Sequence, residues 1–142
     1  MTDATPLPSA ARDLLSSAAL AHVVTVNADG SPHVTVAWIG LDGDELVLGT
    51  LFDQKKLRNV RRDPRVVVSV EGTKVHPPGL KEYLVITGTA RVTEGGAPEL
   101  LGELARTYLG PEVKFPPIED PPPGFVTRVT PTKISGVGSW MG

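Results

Sequence analysis

The stretch His22–Ile39, HVVTVNADGSPHVTVAWI, holds two strand-length runs rich in Val, Thr and Ile on either side of Asn27-Ala28-Asp29-Gly30. β-Branched side chains fit a pleated ladder better than a helix, and a short polar turn between two such runs is a hairpin signal. The pattern predicts strands over His22–Val26 and His33–Ile39. Gly30 suits the turn position that needs positive φ, and Pro32, without an amide hydrogen, belongs at a strand edge or entry.

The same punctuation continues along the chain. A turn at Asp42–Asp44 precedes a strand over Glu45–Leu51; VVVSV at residues 66–70 is apolar enough for a central strand. A further strand runs from Glu82 to Val92, with Gly88 at a bulge, and FVTRVTP is another. Three short helices are expected between them. Ser9 caps one that reaches Ala18 and buries Leu14 and Leu15; Pro98 opens one over residues 98–109. In the segment Asp53–Asp63, Leu57 and Val60 anchor one face, while Lys56 and Arg58 fall away from it. Gly110–Gly124 holds six prolines and reads as an ordered but irregular loop, and residues 1–8 are expected to fray. No repeat or linker divides the chain, so residues 1–142 form one domain. Strands without regular helical crossovers count against a doubly wound sheet and point to a barrel or sandwich.

Little in the chain advertises covalent or metal chemistry. There is no Cys, no glycine-rich phosphate loop and no zinc or nucleophile motif; His22, His33 and His76 lack metal-ligand spacing. A chain without cysteine, basic leader or membrane-length apolar run is expected in the cytoplasm, with no membrane insertion. Its charge is nevertheless unevenly spread. Net charge is −2, yet KKLRNVRRDPR at residues 55–65 carries six cations. A basic helix entered from a strand end can hold a phosphate through its first amides, its dipole and its side chains. Thr50, Lys56, Arg58 and Asn59 are the candidates, whereas Lys55, Arg61 and Arg65 are assigned to solvation or salt bridges. The acidic overall balance and the lack of an aromatic platform argue against nucleic acid. Trp38 and Trp140 could be core or could flank a planar ring, the latter beside Gly136 and Gly138.

Together HVVTVNADGSPHVTVAWI, KKLRNVRRDPRVVVSV and the ending TKISGVGSW resemble the pyridoxamine 5'-phosphate oxidase-like superfamily, over about residues 10–140. Within it the chain looks similar to the actinobacterial branch of deazaflavin-dependent oxidoreductases, which use coenzyme F420. That resemblance implies a mainly β split β-barrel with short peripheral helices, forming a homodimer with the cofactor in a groove between subunits. It implies that Lys56 and Arg58 approach the cofactor phosphate, with Thr50 and Asn59 nearby. Val36 and Trp38 would contact the ring, and Trp140 would close the pocket. It further implies hydride transfer from reduced deazaflavin to an activated double bond of a small or medium organic acceptor, with no protein side chain as catalyst. The alternatives are an FMN-dependent oxidoreductase and a non-enzymatic flavin, deazaflavin or haem binding protein.

Overall fold

A computed structural model describes residues 4–141. Of the lead expected to fray, residues 1–3 lie outside the described residues. Thr5 donates from its amide to the Pro131 carbonyl (2.8 Å) and from its hydroxyl to that of Thr132 (3.0 Å), and Leu7 is buried.

Seven strands form: β1 Ala21–Val26, β2 Pro32–Ala37, β3 Gly40–Asp42, β4 Glu45–Thr50, β5 Arg65–His76, β6 Leu80–Glu94 and β7 Phe125–Val137. The helices are α1 Ser9–Leu15, α2 Lys55–Arg62 and α3 Ala97–Tyr108, followed after β7 by a single 3-10 turn, Ser139–Met141. Gly30 takes a φ of +88° in the β1–β2 turn, and the β6–β7 ladder shifts register at Thr87/Gly88, where the sequence places a bulge. The β5–β6 hairpin is longer than the sequence suggests. Its outer part, GTKVHPPGLK, alternates too weakly to read as strand, yet Val75 pairs with Lys81 and His76 with Leu80.

All strands join one antiparallel sheet in the order β2-β1-β5-β6-β7-β4-β3. The expected split β-barrel is therefore corrected: the sheet is open, with β2 and β3 as its two edges and no ladder between them. The run His33–Ile39 ends as a strand at Ala37, and the chain crosses from one edge of the sheet to the other through Trp38 and Ile39. At that crossing the Ile39 amide donates to the Tyr108 hydroxyl (3.1 Å), which itself donates to the Ala19 carbonyl (2.7 Å). A side chain of α3 thus satisfies the backbone at the crossing.

One face of the sheet forms the core. Directly opposed residues share a face, and the pairs Val23–Val68, Val68–Ile86 and Ile86–Ile134 carry an apolar band across four strands. Val129 extends it to Leu46, and Leu14, Leu15, Val60 and Trp140 cover it from α1, α2 and the C-terminal turn. Helix α3 packs on β4, so closely at Gly49 that an added Cβ would lie 3.0 Å from Leu101 Cγ. That contact brings Leu101 beside the end of β4.

Candidate functional site

Helix α2 begins without a capping side chain at Gln54, and its inward stripe is Lys56, Leu57, Asn59 and Val60. Leu57 and Val60 anchor the helix as their spacing predicts. Lys56 departs from expectation. It lies beside the anchoring pair rather than in solvent, only 6% exposed, and its ammonium makes no hydrogen bond or ion pair among the described residues. Loss of water pushes its pKa below the ordinary lysine range.

The other cations of this segment are engaged or solvated. Arg58 and Arg61 reach Asp53 at 3.8 and 3.4 Å, and Arg61 also lies over the Phe125 ring. Arg62 donates to the Val26 carbonyl (2.7 Å) and to Asn59 Oδ1 (2.9 Å). Arg65 chelates Asp63, and its hydrogen bonds hold that carboxyl down to about 2. Lys55 is exposed.

Beside Lys56, the Thr50 side chain ends β4 at 5% exposure, and its hydroxyl has no partner among the described residues. Both residues line a cavity of about 430 Å³ whose polar wall is Thr50, Gln54 and Lys56. Its apolar wall is Leu20, Val36, Trp38, Leu101 and Phe115, with Phe52 at the rim. The cavity lies between the two ends of the open sheet, since Val36 to Trp38 follow one edge and Gly49 to Leu51 come from β4, next to the other.

Val36, Trp38, Thr50 and Lys56 therefore meet in one place. Arg58 does not line this cavity; its side chain is 58% exposed and turned towards Asp53. Asn59 is buried and fully occupied. Its amide nitrogen donates to Thr25 Oγ1 (3.1 Å) and Asn27 Oδ1 (3.0 Å), while its oxygen accepts from Arg62. Trp140 belongs to a second cavity, beside Ser139, Glu71 and Glu82, and its indole donates to the Ser135 carbonyl.

Sequence reasoning misses Phe115 and Leu101. Leu101 sits in a helix whose orientation is set by β4, and Phe115 stands in the Pro-rich loop, where no periodicity assigns a face. Its only signal is that it is the sole aromatic residue there. Trp38 is held between two rings: Tyr108 stacks on it with centroids 5.5 Å apart, and Phe115 meets it edge-on at 5.1 Å.

An unpartnered ammonium, an unpartnered hydroxyl and an uncapped helix start are the donor set an oxyanion needs, and they fit a phosphate. The aromatic and aliphatic wall fits a planar ring. Among the described residues no cluster of His, Cys, Asp or Glu could hold a metal ion, and no helix is long and apolar enough to cross a membrane.

A family model described as pyridoxamine 5'-phosphate oxidase matches residues 7–138. No curated protein matches the chain. Among solved structures, an F420 reductase is 27% identical, with a TM-score of 0.73 over 91% of this chain and 98% of its own. A conserved hypothetical protein of Mycobacterium tuberculosis is 22% identical, with a TM-score of 0.71 over 96% of this chain and 87% of its own. A candidate 5-nitroimidazole antibiotic resistance protein of Bacteroides thetaiotaomicron is 18% identical, with a TM-score of 0.68 over 96% of this chain and 86% of its own. At such identities the last two bear on the fold alone.

Proposed function

The chain belongs to the pyridoxamine 5'-phosphate oxidase family, and from that premise we propose that it is an oxidoreductase that uses coenzyme F420. The observation that carries this reading is Lys56, a buried cation that has no partner among the described residues and lines the same cavity as Thr50, whose hydroxyl has none among them either. Leaving a desolvated charge unpaired is costly, and a bound phosphate offsets that cost. The likeness to an F420 reductase favours deazaflavin over FMN, although both carry a phosphate that suits Lys56.

In this reading Lys56, Thr50 and the start of α2 bind the cofactor phosphate, and Val36 and Trp38 bear on the ring. Arg58 guides the anion from the rim, and Asn59 holds α2 in place rather than touching the ligand. When bound, the reduced cofactor supplies a hydride for an electron-poor double bond. The protein contributes orientation and exclusion of water, which fits a site without an evident acid–base pair.

The reading includes a cytoplasmic homodimer. Leu20, Val34, Val36 and Phe52 are each more than half exposed, an apolar surface that a second copy would cover. Trp140, remote from Lys56 in its own subunit, would reach a ring only across such an interface.

The test is an equilibrium titration of the purified protein with F420 and, separately, FMN, followed by cofactor fluorescence. Selective binding of F420, weakened by Lys56→Ala, is expected. Preference for FMN would move the protein to flavin chemistry, and binding unaffected by Lys56→Ala would overturn the phosphate assignment. Retained cofactor without turnover of any electron-poor acceptor would make the protein a carrier.

A further inference from the structure

The cavity has a wall with no counterpart in the phosphate assignment. We propose that Phe115, presented by the Pro-rich segment Gly110–Gly124, is a specificity-determining residue that restricts the acceptor to flat conjugated or aromatic molecules. The inference rests on the reading above that this cavity serves a redox reaction, and it names the acceptor class.

Three observations carry it. First, Phe115 lines the same cavity as Lys56 and Thr50 but on the apolar side, with Leu101 and Trp38. The polar side is committed to an anion and Val36 to the cofactor ring, so the surface left to an acceptor is Phe115 and Leu101, with the part of Trp38 that faces Phe115.

Second, Trp38 cannot retreat from a ligand. Tyr108, which is not part of the cavity wall, stacks behind it at an interplanar angle of 17°. The Tyr108 hydroxyl is fixed in turn by the Ile39 amide and the Ala19 carbonyl. Phe115 stands at 60° to the same indole, so the two rings make a corner with one rigid side. A flat π-system can lie along such a corner by stacking or edge contact, whereas a branched saturated group meets a ring edge.

Third, the segment that presents Phe115 is tied only at its ends. Gly110 and Val113 are bonded near α3, and Pro123 and Gly124 accept from Ala97 and Gly95. No hydrogen bond joins residues 114–122 to the rest of the described chain. What seats Phe115 is packing: its ring against Trp38, and its carbonyl close over Gly102 of α3, 3.3 Å from where a Cβ would stand. A residue held by packing, on a segment outside the sheet, can change the cavity without disturbing the Lys56 end.

The experiment compares wild type with Phe115→Ala and Phe115→Leu, using nitrobenzene, 1-nitronaphthalene and 3,5-di-tert-butylnitrobenzene as probes. The chain has two tryptophans, so nitrogen-15 labelling gives two indole signals, and Trp140→Phe assigns them. The shift of the Trp38 signal reports probe affinity without cofactor; kcat/KM with reduced F420 reports turnover. Wild type should favour the flat probes over the tert-butyl compound by about tenfold or more, the scale on which apolar pockets discriminate. Phe115→Ala should bring that ratio close to one, and Phe115→Leu should give an intermediate value. An unchanged ratio in either folded variant overturns the proposal, as does failure of every probe to perturb Trp38 in wild type. If F420 does not bind but the probe ratio still collapses in Phe115→Ala, the cofactor reading fails and the aromatic gate stands.

Discussion

The Trp38 and Tyr108 rings lie 17° from parallel with centroids 5.5 Å apart, and the Tyr108 hydroxyl accepts from the amide of Ile39, the residue next to Trp38. One side chain therefore fixes both the face of the indole and the backbone that carries it. Tyr108→Phe keeps the stack and deletes the bond. The expected cost is about 1–3 kcal/mol from the amide and carbonyl left unpaired, measured by urea denaturation. Ligand contact with Trp38 should weaken in step, and an unchanged denaturation midpoint would mean that water replaces the hydroxyl without loss.

Lys56→Met removes a charge but keeps much of the buried side chain's volume. Affinity for a phosphate-bearing cofactor should fall ten- to a hundredfold, in line with about 1.5–3 kcal/mol for a hydrogen bond to a charged group. Unfolding free energy should stay level or rise, because the substitution also removes an ammonium desolvated without a partner. Titration calorimetry and chemical denaturation of the same samples separate the two effects. A marked loss of stability would make Lys56 a packing residue.

The same ammonium sets a pH dependence. Its pKa is lowered in the folded protein by burial, so the unfolded chain holds that proton more tightly. The penalty is present in full below the folded-state value. It is relieved as pH climbs from there to the ordinary lysine range, so this contribution makes stability rise with pH. Oxyanion affinity should fall over the same window as the charge disappears. Lys56→Arg, which stays protonated, should flatten the binding profile. Affinity constant up to the ordinary lysine pKa would contradict the assignment.

Asn59→Ala should behave as a structural lesion. Its amide joins Thr25 on β1, Asn27 in the hairpin turn and Arg62 on its own helix. Each buried group left unpaired costs about 1–3 kcal/mol, so a lowered thermal midpoint is expected. Cofactor affinity of the remaining folded protein should be near that of wild type; a selective loss of affinity at full stability would return Asn59 to the ligand.

What the sequence reveals and what it hides divide along physical lines. The runs HVVTV, HVTVA and VVVSV announce strands because branched side chains bias the local backbone. Leu57 and Val60 announce the buried face of α2 because three residues make nearly a helical turn. The depth of Lys56 is less legible, since it depends on how α2 lies against β1 and β6. Whether the sheet closes is not local at all. It depends on whether the two edges of a seven-stranded sheet meet, which follows from the order of all the strands. The placing of Phe115 is likewise a tertiary fact.

The open seam of the sheet has a mechanical consequence. Strands β2 and β3 share no ladder, and their ends are joined by the covalent crossing through Trp38 and Ile39, which the Tyr108 hydroxyl of α3 holds. A molecule lodged between them would act as a clasp, adding a second path for load between the two margins. Amide exchange would then slow at both margins together on loading, including positions that the molecule never touches.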